Sequence, residues 1–168
     1  MDQVMIDLET MSTDCHAAIC SIGAVKFNLE VGIKNTFYCT VDLASCKAAG
    51  LHISKDTVEW WSKQNPAALK ELRKDNISLA EALDRFDDWY GTRSLPTWGN
   101  GAGFDNVVLH HSYRALKRER PWKYWDDRCY RTMYNMIKLP DDKRDGTHHN
   151  ALDDAMHQTK HLLRILGS

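Results

Sequence analysis

The sequence predicts an α/β domain: a mixed sheet, with an antiparallel meander joined to parallel strands, flanked by helices. Three observations predict it. Up to Val41 the chain carries three runs rich in Val, Ile, Phe, Tyr and Thr, and the middle of the chain carries helix-start signals instead. A short late apolar run then passes through a glycine-rich loop into an amphipathic helix. Strands first, then helices interleaved with strands, is the order from which a mixed sheet with packed helices is built.

The elements follow in order. Val4-Met5-Ile6-Asp7-Leu8-Glu9-Thr10 reads as the first strand, and residues 17–27 and 33–41 read as two more, separated by a turn at Gly32. Ser54 opens a helix through Lys63, and Pro66 takes the first-turn position of the next. Ser78 and Glu81 form a capping box for a third helix that ends near Gly91. Residues 95–98 are a short strand leading into Gly99-Asn100-Gly101-Ala102-Gly103, with a helix after it over residues 104–118. Further helices are predicted over 128–137 and 150–166. No repeat, low-complexity tract or linker divides the chain, so one domain spanning residues 1–168 is expected.

Composition sets the class. The 168 residues are 43% apolar and 27% charged, as in an ordinary soluble domain. No run is long and apolar enough for a membrane span, and Asp2, Asp7 and Glu9 are foreign to a secretory signal, so a cytoplasmic protein without a membrane partner is expected. Five cysteines, an odd number with no Cys-x-x-Cys, argue for reduced thiols rather than a disulfide framework. His16 beside Cys15 and Cys20 fits no common metal-site spacing. With 22 basic against 23 acidic residues the net charge is −1, so no global field draws the chain onto duplex nucleic acid. Basic residues cluster only locally, from Arg114 to Arg120 and at Lys143-Arg144, where a solvated helix end competes with a phosphate-holding patch.

Chemistry enters through the carboxylates. Residues i and i+2 of a strand point to one side, so Asp7 and Glu9 project together from a segment that is otherwise apolar. Like charges so placed repel unless a cation lies between them, and a hard divalent ion takes oxygen ligands of this kind. The plainer alternative has one carboxylate capping a turn and the other solvated. Asp105 begins a helix just past a strand and a loop of three glycines, at a strand's carboxyl end, where crevices form in open α/β sheets. There it also suits a helix N-terminus electrostatically. The glycine loop lacks the Lys-Ser/Thr ending of a P-loop and reads as room for close backbone approach. Asp153 and Asp154 flank the apolar stripe of the last helix, and periodicity does not choose between them. His149 precedes that helix in a polar segment, and an imidazole beside acids suits general-base work.

Together these residues resemble the DEDDh branch of the DnaQ-like 3′-5′ exonucleases. Asp7-Leu8-Glu9-Thr10 matches the first motif, Asp-x-Glu-Thr; Phe104-Asp105 matches the second; and His149 with Asp154 five residues later matches the third. His148 and Asp153 repeat that spacing one position earlier. The sister branch has Tyr where this chain has Asn150. Glu9-Thr10-Met11 and Ser54-x-x-Thr57-x-x-Trp60-Trp61 look most like the compact phage and bacterial proteins of the DexA-like type.

The resemblance implies an RNase H-like sheet and a hydrolase that removes nucleoside monophosphates from the 3′ end of single-stranded nucleic acid, DNA slightly before RNA. Two divalent ions, Mg²⁺ or Mn²⁺, are implied as cofactors. Asp7 would bridge both, Glu9 and Asp154 would complete the site of the attacking water, Asp105 would hold the second ion, and His149 would accept the water's proton. Thr10, Met11, Trp61, Asn100 and Phe104 are the expected substrate contacts, with Trp60 the alternative to Trp61 for base stacking. Relatives are often dimers, so the resemblance is compatible with a homodimer. The rival readings are a non-catalytic nucleic-acid-binding module and a phosphodiesterase acting on dinucleotides and short oligonucleotides.

Overall fold

The computed structural model describes residues 1–64, 66–140, 146 and 149–167; Lys143, Arg144 and His148 lie outside them. Among the described residues five strands form one sheet in the order β3-β2-β1-β4-β5. They are β1 (Asp2–Thr10), β2 (Ile19–Asn28), β3 (Gly32–Thr40), β4 (Thr97–Gly99) and β5 (Asp127–Cys129). The first three are an antiparallel meander, and β4 and β5 join parallel. This is the mixed sheet the sequence predicts.

Helices cover both faces. The central strand β1 is buried along almost its whole length, and its side chains divide by parity. Val4, Ile6 and Leu8 enter one core with Leu83 and Phe86 of α4 (Leu79–Tyr90) and Val108 and Leu109 of α5 (Asp105–Ala115). Met5 enters the other with Ala155 and Leu162 of the last helix, Ala151–Gly167. The period of two therefore gives the Met5 side, and with it Asp7 and Glu9, to the last helix.

Between β3 and β4 lie α1 (Leu43–Ala48), α2 (Lys55–Ser62), α3 (Pro66–Glu71) and α4. The Ser54 hydroxyl accepts from the Thr57 amide and the Ser78 hydroxyl from the Glu81 amide, as the capping signals imply. The sequence reading omits α1, whose signal is Asp42: its carboxylate accepts from the amides of Ala44 and Ser45. It also extends α5 too far, because Lys117 takes a left-handed φ of 57° just beyond the helix end. The helix expected over 128–137 is α6 (Tyr130–Met136), since Asp127–Cys129 pairs with β4 as a short polar edge strand. The last helix is α7. All five cysteines are free. Among the described residues no helix is long and apolar enough to cross a membrane.

Candidate active site

The site is assembled where α7 meets β1. Asp7 pairs across the sheet with Gly23 of β2. A Cβ on Gly23 would lie 2.2 Å from the Ala151 carbonyl carbon and 2.3 Å from the Leu152 nitrogen, so only glycine lets the first turn of α7 rest on the sheet here. The Asn150 side-chain oxygen caps that turn, accepting from the amides of Leu152 and Asp153 at 3.1 Å each. Seated this way, Asp154 brings a carboxylate oxygen to those of Asp7 and Glu9, all three within 4.8 Å of one another. Asp153 instead lies against Gly146.

Asp105 is mounted differently. Its two oxygens accept from the Leu8 amide at 3.1 Å and the Asn100 amide at 2.8 Å, which joins the carboxylate to β1 and to the glycine loop. Gly99 makes the approach possible, since a Cβ there would lie 3.0 Å from the Asp105 Cβ. The close-approach reading of the loop thus holds at Gly99, whereas Gly103 faces open space. Burial raises the Asp105 pKa to about 6 against the pull of those amides and of Arg131. Asp105 is not within the three-carboxylate cluster.

A cleft of about 420 Å³ opens over Asp7 and Asp154, with His149, Asn100, Arg131 and Gln158 also in its wall. His149 has a left-handed φ of 64° and packs edge-to-face against Trp60 and Trp61, with ring centroids 5.1 and 5.9 Å away. The two tryptophans have different surroundings. Trp61 is 2% exposed and donates its indole N–H to the Thr10 carbonyl at 2.9 Å, whereas Trp60 is 44% exposed. Trp61 is the expected substrate contact and Trp60 its alternative; in the structure the Trp61 ring is packed inside, and Trp60 is the open one of the pair. Thr10 is buried, with its hydroxyl on the Ser12 carbonyl. Met11 and Phe104 pack against the core.

The donors suit a hard divalent ion. Three carboxylates converge from β1 and α7, Asp7 and Glu9 are less than a tenth exposed, and like charges so close repel each other.

Residues 2–166 match the family described as 3′-5′ exoribonuclease Rv2179c-like domain. The chain belongs to that family. An exodeoxyribonuclease of Enterobacteria phage T4 is 26% identical over 167 residues, covering 83% of this chain and 73% of the relative. Among solved structures, E. coli exonuclease I in complex with a dT13 oligonucleotide superposes with a TM-score of 0.66 at 16% identity, over 98% of this chain and 40% of that one. Cell-death related nuclease 4 (CRN-4) gives 0.56 at 12% identity, over 99% of this chain and 64% of that one. This chain therefore spans less than two thirds of either solved relative. The fold is that of E. coli exonuclease I and CRN-4.

Within this Rv2179c-like domain the sequence reading missed Gln158, which donates its amide N–H to Asp7 Oδ1 at 2.7 Å and is 5% exposed. Its signal was available, because Gln158 follows Asp154 by four residues and so shares its helix face. Arg131 was missed too; it reaches the Asn100 side-chain oxygen at 3.4 Å from α6, and no motif marks it. The basic run from Arg114 to Arg120 borders a separate cleft, but Arg118 is paired with Asp84 and Asp87, and Arg120 with Asp127.

Proposed function

We propose that this domain is a metal-dependent 3′-5′ exonuclease that releases nucleoside monophosphates from single-stranded 3′ ends by the two-ion DEDDh route. The observation that carries the reading is the convergence of Asp7, Glu9 and Asp154 within 4.8 Å. Asp7, Glu9 and Asp154 would hold one Mg²⁺ or Mn²⁺, and Asp7 and Asp105 would serve a second. When bound, the ions supply Lewis-acid stabilisation of charge on the entering and leaving oxygens of an in-line displacement.

The chain's own residues do the rest. His149 accepts the proton of the attacking water at a ring nitrogen, and Trp60 and Trp61 hold its imidazole in place by edge contacts. The water oxygen bonds to phosphorus, the bond to the 3′ oxygen of the preceding nucleotide breaks, that oxygen takes a proton from solvent to become a 3′-hydroxyl, and a 5′-mononucleotide leaves. Gln158 fixes the orientation of Asp7. Trp60, Asn100 and Arg131 line or border the path of the terminal nucleotide, and the open indole of Trp60 supports stacking without sequence preference. A chain of net charge −1 engages few phosphates, so binding should depend weakly on salt.

DNA is the favoured substrate, supported by the T4 exodeoxyribonuclease relative. RNA is the second reading, favoured by the exoribonuclease description of the family. The test is a time course on matched DNA and RNA oligonucleotides with blocked 5′ or 3′ ends. Stepwise loss from open 3′ ends with Mg²⁺ or Mn²⁺, abolished in Asp7→Ala and Asp154→Asn, is the expected result. Turnover in EDTA or in either variant sinks the mechanism. Binding without turnover would point to a non-catalytic module, and turnover confined to dinucleotides to a small-phosphodiester enzyme.

A further inference from the structure

Beyond the carboxylate site, a second group of metal-capable side chains converges on the loop after β1. Asp14, His16 and His52 each bring a donor atom within 4.8 Å of the other two. The backbone holds them in register: the His52 amide donates to the His16 carbonyl at 2.8 Å, and the Ala18 amide donates to the His52 carbonyl at 2.8 Å. Ala17 and His52 thereby form a parallel bridge between segments far apart in sequence. Two imidazoles are thus presented side by side, with ring centroids 5.4 Å apart. The Asp14 carboxylate lies 2.9 Å from His52 Nδ1, the Ser12 hydroxyl 2.8 Å from it, and the Cys15 thiol 3.9 Å from His16 Nδ1.

We propose that Asp14, His16 and His52 form a second metal site, selective for a borderline ion such as Zn²⁺. Two imidazoles and one carboxylate are a zinc donor set, whereas Mg²⁺ prefers oxygen alone, so the two clusters divide metals by chemistry. The fourth position is open to water or to the Cys15 thiolate. The side chains of His52 and Asp14 are 42% and 55% exposed, so the ion enters directly from solvent. Tetrahedral zinc with bonds of about 2 Å sets its donors roughly 3.3 Å apart, a spacing that rotation of these exposed side chains supplies.

The site acts as a clip. It ties the loop that follows Glu9 and Thr10 to the segment approaching α2, where the Ser54 amide already donates to the Met11 carbonyl at 2.7 Å. Ser54 caps α2, and α2 carries Trp60 and Trp61 against His149. The same segment thus has the proposed zinc clip at one end and the wall of the nuclease cleft at the other.

The experiment uses the full chain carrying Asp154→Asn, which disables the carboxylate cluster. Zn²⁺ is titrated in competition with a chromophoric chelator, and Co²⁺ is titrated with absorption spectroscopy, in the presence of excess Mg²⁺. One Zn²⁺ per chain is expected, with visible Co²⁺ bands of four-coordinate intensity. His16→Asn and His52→Asn, each checked for fold by circular dichroism, should weaken Zn²⁺ binding by about 10-fold or more. Free Zn²⁺ at roughly ten times its Kd should raise Tm by about 3–6 °C, and this rise should vanish in His16→Asn. His16 makes no bond to Ser12 or Asp14, so that variant stays informative if His52→Asn folds poorly. Failure of the Asp154→Asn chain to bind Zn²⁺, or binding undiminished in a folded His16→Asn chain, overturns the proposal. Neither result touches the exonuclease reading.

Discussion

Asp105 and Asp154 are mounted in opposite ways. Asp105 is 3% exposed and takes one backbone amide on each oxygen, so its place is fixed by β1 and the glycine loop themselves. Asp154 stands on the first turn of α7, which rests on the sheet at Gly23. The difference divides the site into a built-in half and a docked half. Anything that unseats α7 displaces Asp154 and His149 together, while Asp105 keeps its place.

Gly23→Ala should have the largest effect of the substitutions that spare the functional side chains. Its Cβ would meet backbone atoms of Ala151 and Leu152, which have no side-chain freedom with which to yield. We expect the single-turnover rate to fall by more than about 10²-fold, because displacement of about 1 Å can cost that much, and divalent-ion affinity to fall with it. The contrast is Gly99→Ala, whose nearest contacts, at 3.0 Å, are side-chain atoms of Asn106 and Asp105. It should lose less. Equal losses in the two variants would break the distinction between a docked and a built-in half.

His149→Ala sharpens the docked half. It removes the proposed proton acceptor and leaves the seat of α7 untouched, so hydrolysis should slow by roughly 10²-fold while divalent-ion binding stays near wild type. Single-turnover kinetics and isothermal titration separate the two. A joint loss of rate and binding would mean that His149, held by Trp60 and Trp61, positions the metal cluster instead of moving a proton.

What could be read in the sequence follows the same division. Alternation along β1 places Asp7 and Glu9 on one face, and the pattern of strands and caps yields the sheet and most helices, because both are local signals. The choice of Asp154 over Asp153 needed the motif spacing, since helical periodicity treats the two alike. Gly23 was invisible: a glycine inside an apolar strand has many explanations, and only the arrival of Ala151 selects one. The inward turn of Trp61 was equally hidden, because it depends on the Thr10 carbonyl at the end of β1. The group at Asp14, His16 and His52 joins residues far apart in sequence, so no spacing rule could gather it.

The smallest effect is a stability effect, and it probes the built-in half. Burial raises the Asp105 pKa from 3.8 to about 6, so in the metal-free protein the folded state binds this proton more tightly than the unfolded state does. The stabilising contribution is full below the unfolded value, declines as pH rises through the window between the two values, and is gone above about pH 6. In EDTA, chemical denaturation between pH 4 and 7 should therefore contain a falling component that Asp105→Asn removes. Other carboxylates titrate in the same range, so the readout is the difference between the two proteins. Adding Mg²⁺ at pH 7 should restore stability to the wild type more than to Asp105→Asn, because a divalent ion compensates a buried carboxylate and has less to compensate in an amide. If Mg²⁺ stabilises both equally, Asp105 is a structural anchor between β1 and the glycine loop, and the ions are held by the docked side with β1 alone.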